Sequence, residues 1–482
     1  MNIESDFIKY YSQDDEVLSE HIELYEMLTE EQIFLIQKRF SMDIASVFRQ
    51  LNKINKADLI KNCNSLRYMQ QCISNPEHKH FRGSFCKDRY CPICSHIKSH
   101  KETQMLFAIM ESMQKDNNYK NCYLLFVTLT QKNVVTGELK SEVNKINTAV
   151  KELLKKDKLF KSSKRKSKGK TVNVKPLCIG TIRHLEVTAG YKVKSGRIEY
   201  HPHVHLLMLV RKDYWNKESN QWTHKKLMKK WRDLMGLDYD PVVHITLVKD
   251  DGMKKIIEVK EAQDSECVTT DIESKSAKKN NLANLNPDGA LKEISKYEAK
   301  DTDKIKFVKD KETGRVDINW NDSKEIIGEL YNALHQKRTT VMTGEFLKQK
   351  KRLFGNKDAD DLIDEMQDAE LIDLFKNKKC KKCGSPVTEH LLRYSGTKKI
   401  YLELSESKLQ TYKEGMNLMI REIIKKRQNA LDEVTNSEVP PEWQLIDNGY
   451  DPFTMDITED EYLEFWNKKK SDVSDQTKTS EQ

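Results

Sequence analysis

No stretch of this 482-residue chain is apolar for long enough to cross a bilayer. The longest such run, around Cys122–Val127, falls far short of the ~20 residues a spanning helix needs. Met1–Tyr10 has no basic segment leading into an apolar core, hence no secretory signal, and the expectation is a cytoplasmic protein with no membrane partner. Internal repeats are absent too. The ten cysteines are not spaced like a disulfide framework. Several stand at metal-ligand spacing, and a reducing compartment favours zinc over disulfides. An excess of one charge is also missing: the net charge of +8 is modest and alone decides little. Its distribution says more. Lys151–Lys175 holds eleven Lys or Arg against two acids, a run suited either to phosphate contact or to a solvated loop. Acid-rich stretches at Asp358–Glu370 and Glu438–Glu464 confine the positive field to part of the molecule.

What is present divides the chain into five parts. Residues 1–60 form a helical N-terminal region, because apolar residues recur at helical spacing through Leu24, Leu28, Phe34, Leu35 and Ile36. Residues 61–105 form a cysteine-rich module. In 118–310, short β-rich runs (Tyr123–Thr130, Cys178–Thr188, Val204–Val210, Val242–Val248) surround a helix at His224–Met235. This central domain contains the basic segment 151–175 and a polar insertion at 250–286. A short helix over Pro287–Ala299 starts with Asn286 as N-cap and Pro287 in its first turn. Residues 320–470 read as mainly helical, and 471–482 as a disordered tail. The fold class is α+β, an antiparallel sheet with flanking helices that leaves one face for a ligand.

The sharpest signal is His201-Pro202-His203-Val204-His205 leading into Leu206–Val210. Residues two apart on a strand share a face, so His203 and His205 project together and can hold one divalent ion. Glu186, in the strand Ile182–Thr188, supplies a third ligand. A two-residue turn at Ser195-Gly196 would pair Lys194 with Arg197, placing Glu186 opposite His205 and His203 on the diagonal. Imidazole plus carboxylate suits manganese, with magnesium as the abundant substitute.

A second signal is Glu293-Ile294-Ser295-Lys296-Tyr297-Glu298-Ala299-Lys300. Four-residue spacing puts Glu293 beside Tyr297 on a helix, with Lys300 on the same face. Tyr297 is a candidate nucleophile toward a phosphodiester, Lys300 or Lys296 the cation it needs, and Glu293 a base for water or a hydroxyl. The commoner alternative is a packing tyrosine among surface ion pairs.

Together these segments resemble the replication initiators of small Gram-positive rolling-circle plasmids, members of the HUH (His-hydrophobic-His) endonucleases. Phe126–Thr130, Tyr200–Leu206 and Glu293–Asp303 are similar to three family motifs in the family's order, and Ala333–Arg338 to a fourth stretch. The likeness covers roughly Cys63–Phe346. It implies a five-stranded HUH-type antiparallel β-sheet with the metal on its open face. It also implies Tyr297 as nucleophile, forming a 5′-phosphotyrosyl link and a free 3′-hydroxyl, and Glu293 as the residue that ends replication by water attack. Its implied partners are plasmid DNA at a double-strand origin, host helicase and DNA polymerase, with a homodimer allowed. The first motif's threonines buttress the metal face, contact phosphate, or belong to a plain core strand. A relaxase or transposase for DNA mobilisation shares the metal and tyrosine, and a zinc-containing regulator would explain the cysteines alone.

Cys86, Cys91 and Cys94 are three thiolates of a structural zinc site. The resemblance of Cys63–Tyr68 to a family segment points to Cys63 as the fourth, with Cys72, His78 and His80 as rivals. Arg82, Lys87, Arg89, Lys98 and Lys101 would give this module a basic face toward DNA. Cys380 and Cys383 form a second knuckle lacking two partners, which His390 or upstream cysteines could supply. Cys122, Cys178 and Cys267 look like ordinary core or loop residues.

Overall fold

The computed structural model describes residues 30–435 apart from 168–169, 193–195, 218–219, 249–280, 296–303, 310–315, 365–367 and 369–377. Tyr297, Lys300 and Cys267 therefore lie outside the described residues, as do most of the 250–286 insertion and the 471–482 tail. The chain separates into two units, Met1–Met416 and Asn417–Gln482.

In chain order the elements are helices α1 (Glu30–Gln50) and α2 (Ile54–Asn62), strands β1 (Leu66–Cys72) and β2 (Lys79–Gly83), helix α3 (Pro92–Lys115), strands β3 (Cys122–Leu129) and β4 (Val134–Val135), and helix α4 (Leu139–Lys156). Strands β5 (Ser163–Ser167), β6 (Lys170–Val174), β7 (Cys178–Lys192) and β8 (Ile198–Arg211) precede helix α5 (His224–Met235), strand β9 (Val243–Leu247) and helix α6 (Asp288–Ile294). Strands β10 (Lys306–Lys309) and β11 (Val316–Asn319), helix α7 (Trp320–Leu334), strand β12 (Thr340–Thr343) and helix α8 (Gly344–Phe354) follow. Strands β13 (Val387–Ser395) and β14 (Ile400–Glu403) and helix α9 (Glu406–Thr435) complete the order. No helix among the described residues is long and apolar enough to cross a membrane.

The central sheet runs β12-β7-β8-β3-β9, antiparallel throughout, with the two-residue β4 beside the start of β8. Alternate side chains divide its surface. One set, Leu125, Val127, Leu129, Leu185, Val187, Val204, Leu206 and Met208, enters a single core with residues of α1, α4, α5 and α7. Helix α4 reaches that core because Leu139, Val143, Ile146, Val150 and Leu153 repeat at helical spacing. Helix α5 has the bounds expected from the sequence. Its Thr223 N-cap accepts from the Lys226 amide, and Gly236 ends it in the left-handed conformation at φ 56°. The opposite set includes Leu124, Phe126, Ile182, Leu207 and Leu209, also buried. Outside the main core, α6 packs on β7, β8 and α3.

The edge strand β12 meets β7 at a bulge between Cys178 and Gly180. Gly344 closes this junction at φ +61°, and a Cβ there would stand 2.1 Å from the Ile179 carbonyl oxygen, so any other residue is strained and must displace backbone.

Two features depart from the sequence reading. The basic segment 151–175 is not a plain loop: it finishes α4 and then forms the β5–β6 hairpin. Region 320–470 contains helices α7, α8 and α9, but it also sends two strands back to the cysteine-rich module in a second sheet, β14-β13-β1-β2. Arg67 of β1 is buried there, its guanidinium 4.0 Å from the Phe81 ring centroid and 5.1 Å from that of Tyr401.

Candidate metal centres

Glu186, His203 and His205 converge. Glu186 Oε2 lies 3.2 Å from His203 Nε2 and 3.2 Å from His205 Nε2, and all three side chains are buried. The register differs from the expected one. Glu186 pairs directly with His203, and His184 with His205, while five residues separate the last pair, Lys192 and Ile198. A bulge between Ala189 and Tyr191 and a loop longer than two residues shift the pairing by two positions. An even shift keeps every side chain on its face, so the three ligands still meet.

The donor set fits a divalent first-row ion. Ligand atoms about 2.1 Å from a metal stand roughly 3.0–3.4 Å apart, the spacing found here. Each imidazole is also fixed through its other nitrogen. His203 Nδ1 donates to the His201 carbonyl at 3.2 Å, and His205 Nδ1 lies 3.2 Å from Thr128 Oγ1. Both Nε2 atoms are thereby aimed at Glu186, the outer-shell arrangement that orients metal-binding histidines. Burial opposes ionisation of Glu186, but hydrogen bonds and charge from His203 and His205 outweigh it and hold the carboxyl far below the usual carboxylate range. Burial, reinforced by the neighbouring His203, lowers His201 to about 4.

Thr128 of the first motif thus meets the metal face. It sits in a lateral row, Thr340–His184–His205–Thr128–His244, formed by directly paired residues of all five strands. His184 Nδ1 is 3.0 Å from Thr340 Oγ1 at the next position of that row. Neither Thr340 nor His244 carries a motif or spacing of its own in the sequence. The only signal for them is the sheet pairing itself.

Helix α6 precedes Tyr297 in the sequence. The helix opens one residue later than expected, at Asp288: the Pro287 carbonyl accepts its first backbone bond, from the Leu291 amide, and the Asn286 side chain accepts from the Asp288 amide at 3.1 Å from just outside the cap. Glu293 stands in this helix, which ends at Ile294 with Ser295 in a turn, short of the Ala299 expected from the sequence. Ser295, two residues before Tyr297, is buried and tied to α3: Ser99 Oγ donates to its carbonyl at 2.7 Å, and Thr103 Oγ1 lies 2.6 Å from its Oγ. Ser99 and Thr103 carried no signal in the sequence.

The cysteines form two clusters. Cys63 joins Cys86, Cys91 and Cys94, with sulfur–sulfur distances of 3.5 Å from Cys94 to Cys63 and 3.6 Å to Cys86. A disulfide needs about 2.05 Å, whereas tetrahedral zinc with ~2.3 Å bonds separates its sulfurs by about 3.8 Å. Cys91 caps α3 and Pro92 starts it, so Cys94 follows within the first turn. The Lys87 amide donates to Cys94 Sγ at 3.2 Å. Cys63 is pushed up by its hydrogen bonds to Cys86 and Cys91, whereas for Cys91 burial is outweighed by bonds from the other three cysteines, which hold it low. Buried Lys38 braces the same loop, donating to the Cys63 carbonyl at 2.5 Å. Burial lowers its pKa to about 8 against the opposing pull of the cysteines.

The second cluster comprises Cys72, His78, Cys380 and Cys383. Two rivals for the first site therefore belong to the second. His390 belongs to neither; it bonds Glu403 and Thr388 instead. Cys122 and Cys178 are buried sheet residues, as expected.

The basic face expected on the cysteine-rich module is largely taken up within the chain. Arg89 donates to the carbonyls of Leu334 and Lys337, Lys87 pairs with Asp364, Lys98 with Asp360, Arg82 reaches Tyr412, and Lys101 is buried. A basic groove of about 1280 Å³ lies instead between α4, β7, β12 and α8, where Lys151, Lys155, Lys175, Arg183 and Arg338 line it. Arg183 alternates with Glu186 along β7, which places this groove on the opposite side of the sheet from the histidines.

Residues 77–384 match the model of a family described as "Replication protein". A "Protein rep" of Streptococcus pneumoniae is 26% identical over 331 residues, covering 68% of this chain and 82% of the relative. One from Bacillus sp is 30% identical over 254 residues, 52% of this chain and 68% of the relative. One from Staphylococcus aureus is 26% identical over 205 residues, 42% and 80%. No solved structure matches.

Proposed function

We propose that this chain, which belongs to the replication-protein family of rolling-circle plasmid initiators, starts replication by nicking one strand at the plasmid's double-strand origin. The observation that carries the reading is the convergence of Glu186, His203 and His205 on one face of an antiparallel sheet, beside the helix that leads to Tyr297.

In this reading the three residues hold Mn²⁺ or Mg²⁺, which when bound polarises the scissile phosphodiester. Thr128 and the His201 carbonyl keep the two imidazoles oriented for it. The Tyr297 phenol gives up its proton and its oxygen bonds to phosphorus. The bond from phosphorus to the 3′-oxygen breaks, and that oxygen takes a proton to become a free 3′-hydroxyl, the primer for a host polymerase. Lys300 stabilises the phenolate. At the end of the round Glu293 takes a proton from a water that cuts the regenerated origin, and the new 3′-hydroxyl displaces Tyr297 from its phosphate. Cys63, Cys86, Cys91 and Cys94 hold a structural zinc, and duplex phosphates lie along the groove of Lys151, Lys155 and Arg338.

The test is the His203→Ala/His205→Ala double variant on supercoiled plasmid bearing the origin. Nicking should be lost while duplex binding, located on the other side of the sheet, persists. Undiminished nicking would overturn the site.

A further inference from the structure

Cys72, His78, Cys380 and Cys383 lie in two segments more than 300 residues apart in sequence, yet their ligand atoms are all within 4.8 Å of one another. Cys72 Sγ is 3.4 Å from Cys383 Sγ, and Cys380 Sγ is 3.7 Å from His78 Nδ1. Sulfurs at 3.4 Å are too far apart for a disulfide and near the edge length of a zinc tetrahedron.

Backbone hydrogen bonds build each half of this cluster. The Cys380 amide donates to the Ser385 carbonyl at 2.7 Å, and the Gly384 amide to the Cys380 carbonyl at 2.8 Å. Gly384 turns the chain at φ +73°, a conformation that favours glycine. These bonds fold Cys380–Ser385 into a knuckle with both thiols on its inner side. In the other half, the Cys72 amide donates to the His78 carbonyl at 3.0 Å, closing the turn between β1 and β2. The Asn75 side-chain amide lies 3.2 Å from His78 Nε2, which leaves Nδ1 facing the sulfurs. Sheet pairing joins the halves: Cys72 pairs with Val387, and the Ile73 amide donates to the Pro386 carbonyl at 3.1 Å.

We infer that these four residues form a second structural zinc site, Cys₃His, that clamps the C-terminal strands β13 and β14 onto the cysteine-rich module. Three thiolates and one imidazole make a closed set with no position left for substrate, and soft sulfur ligands select zinc over magnesium or manganese. Strand β1 is then held at both ends. Cys63, just before it, enters the first cluster, and Cys72, its last residue, enters the second. The clamp rests on these contacts alone and does not depend on the nuclease reading.

Cys383 gives a direct test, because it is exposed and would react readily as a free thiol. In wild-type protein purified with zinc, Cys383 should resist iodoacetamide, and Cys72, Cys380 and Cys383 should become alkylated after chelation. Elemental analysis should show one zinc fewer per chain in Cys380→Ser/Cys383→Ser than in wild type, with far-UV circular dichroism confirming that the variant is folded. His78→Cys, which keeps a four-ligand set, should retain the full zinc content. Ready alkylation of Cys383 in the zinc-loaded wild type, a disulfide-linked Cys72–Cys383 peptide, or an unchanged zinc content in the double serine variant would each overturn the assignment.

Discussion

Replacing Thr128 with valine removes one hydroxyl and little else. Valine has nearly the same shape and suits a strand, so the pairing of β3 with β8 and β9 should persist. What is lost is the 3.2 Å partner of His205 Nδ1. His205 is only 1% exposed, so water does not readily take the vacated place, and the imidazole loses the contact that fixes its tautomer and aim. Removing such an outer-shell partner costs about 10–100-fold in metal affinity. The contact here is long and Thr128 is half-buried, which argues for the lower end, about tenfold or ~1.4 kcal/mol. The assay is nicking of supercoiled plasmid against Mn²⁺ concentration, with direct Mn²⁺ binding followed by electron paramagnetic resonance. The half-saturating concentration should rise about tenfold, while the rate at saturating Mn²⁺ stays near wild type. A midpoint within about twofold of wild type, or a defect that excess Mn²⁺ does not restore, would refute the positioning role.

Three further outcomes follow. Lys151→Ala with Lys155→Ala should weaken duplex binding and lessen its salt dependence by about 1.8 in the log–log slope, while cleavage of a single-stranded origin oligonucleotide persists. An unchanged slope would place the duplex elsewhere. Gly344→Ala should lower stability in urea by about 2–3 kcal/mol, through the left-handed backbone and the collision with the Ile179 carbonyl, and an unchanged midpoint would contradict that geometry. Glu293→Ala should leave nicking near normal but replace monomeric single-stranded circles with multimers. Normal monomer release would remove Glu293 from termination.

Local chemistry was legible in the sequence and long-range pairing was not. His203 and His205 declare a shared face by their spacing alone, and the bounds of helix α5 follow from its periodicity and its Thr223 and Gly236 ends. Glu186 was placed on the correct face because faces depend only on parity. Its direct partner, His203, stands two positions from the one a two-residue turn predicts, since neither the bulge at Ala189/Tyr191 nor the length of the hairpin loop leaves a local signature. Cys63 entered through resemblance, and the sulfur distances agree with it. The partners of Cys380 and Cys383 were hidden for a different reason. They meet through the pairing of β1 with β13, a contact between segments more than 300 residues apart whose alternation looks like any half-buried strand. The basic residues around the first cysteine cluster suggested a DNA face because charge reads as exposure. Their internal carbonyl and carboxylate partners appear only once the chain is folded.

The most direct test of the central claim is the chemical identity of the protein–DNA link. The chain is incubated with Mn²⁺ and a plasmid bearing its origin, denatured, digested, and examined by mass spectrometry for a peptide carrying a nucleotide. The account predicts one adduct, a 5′-phosphate on the Tyr297 phenol oxygen, absent from Tyr297→Phe and from His203→Ala/His205→Ala. A nick without any covalent adduct, or an adduct on another residue that survives Tyr297→Phe, would contradict it.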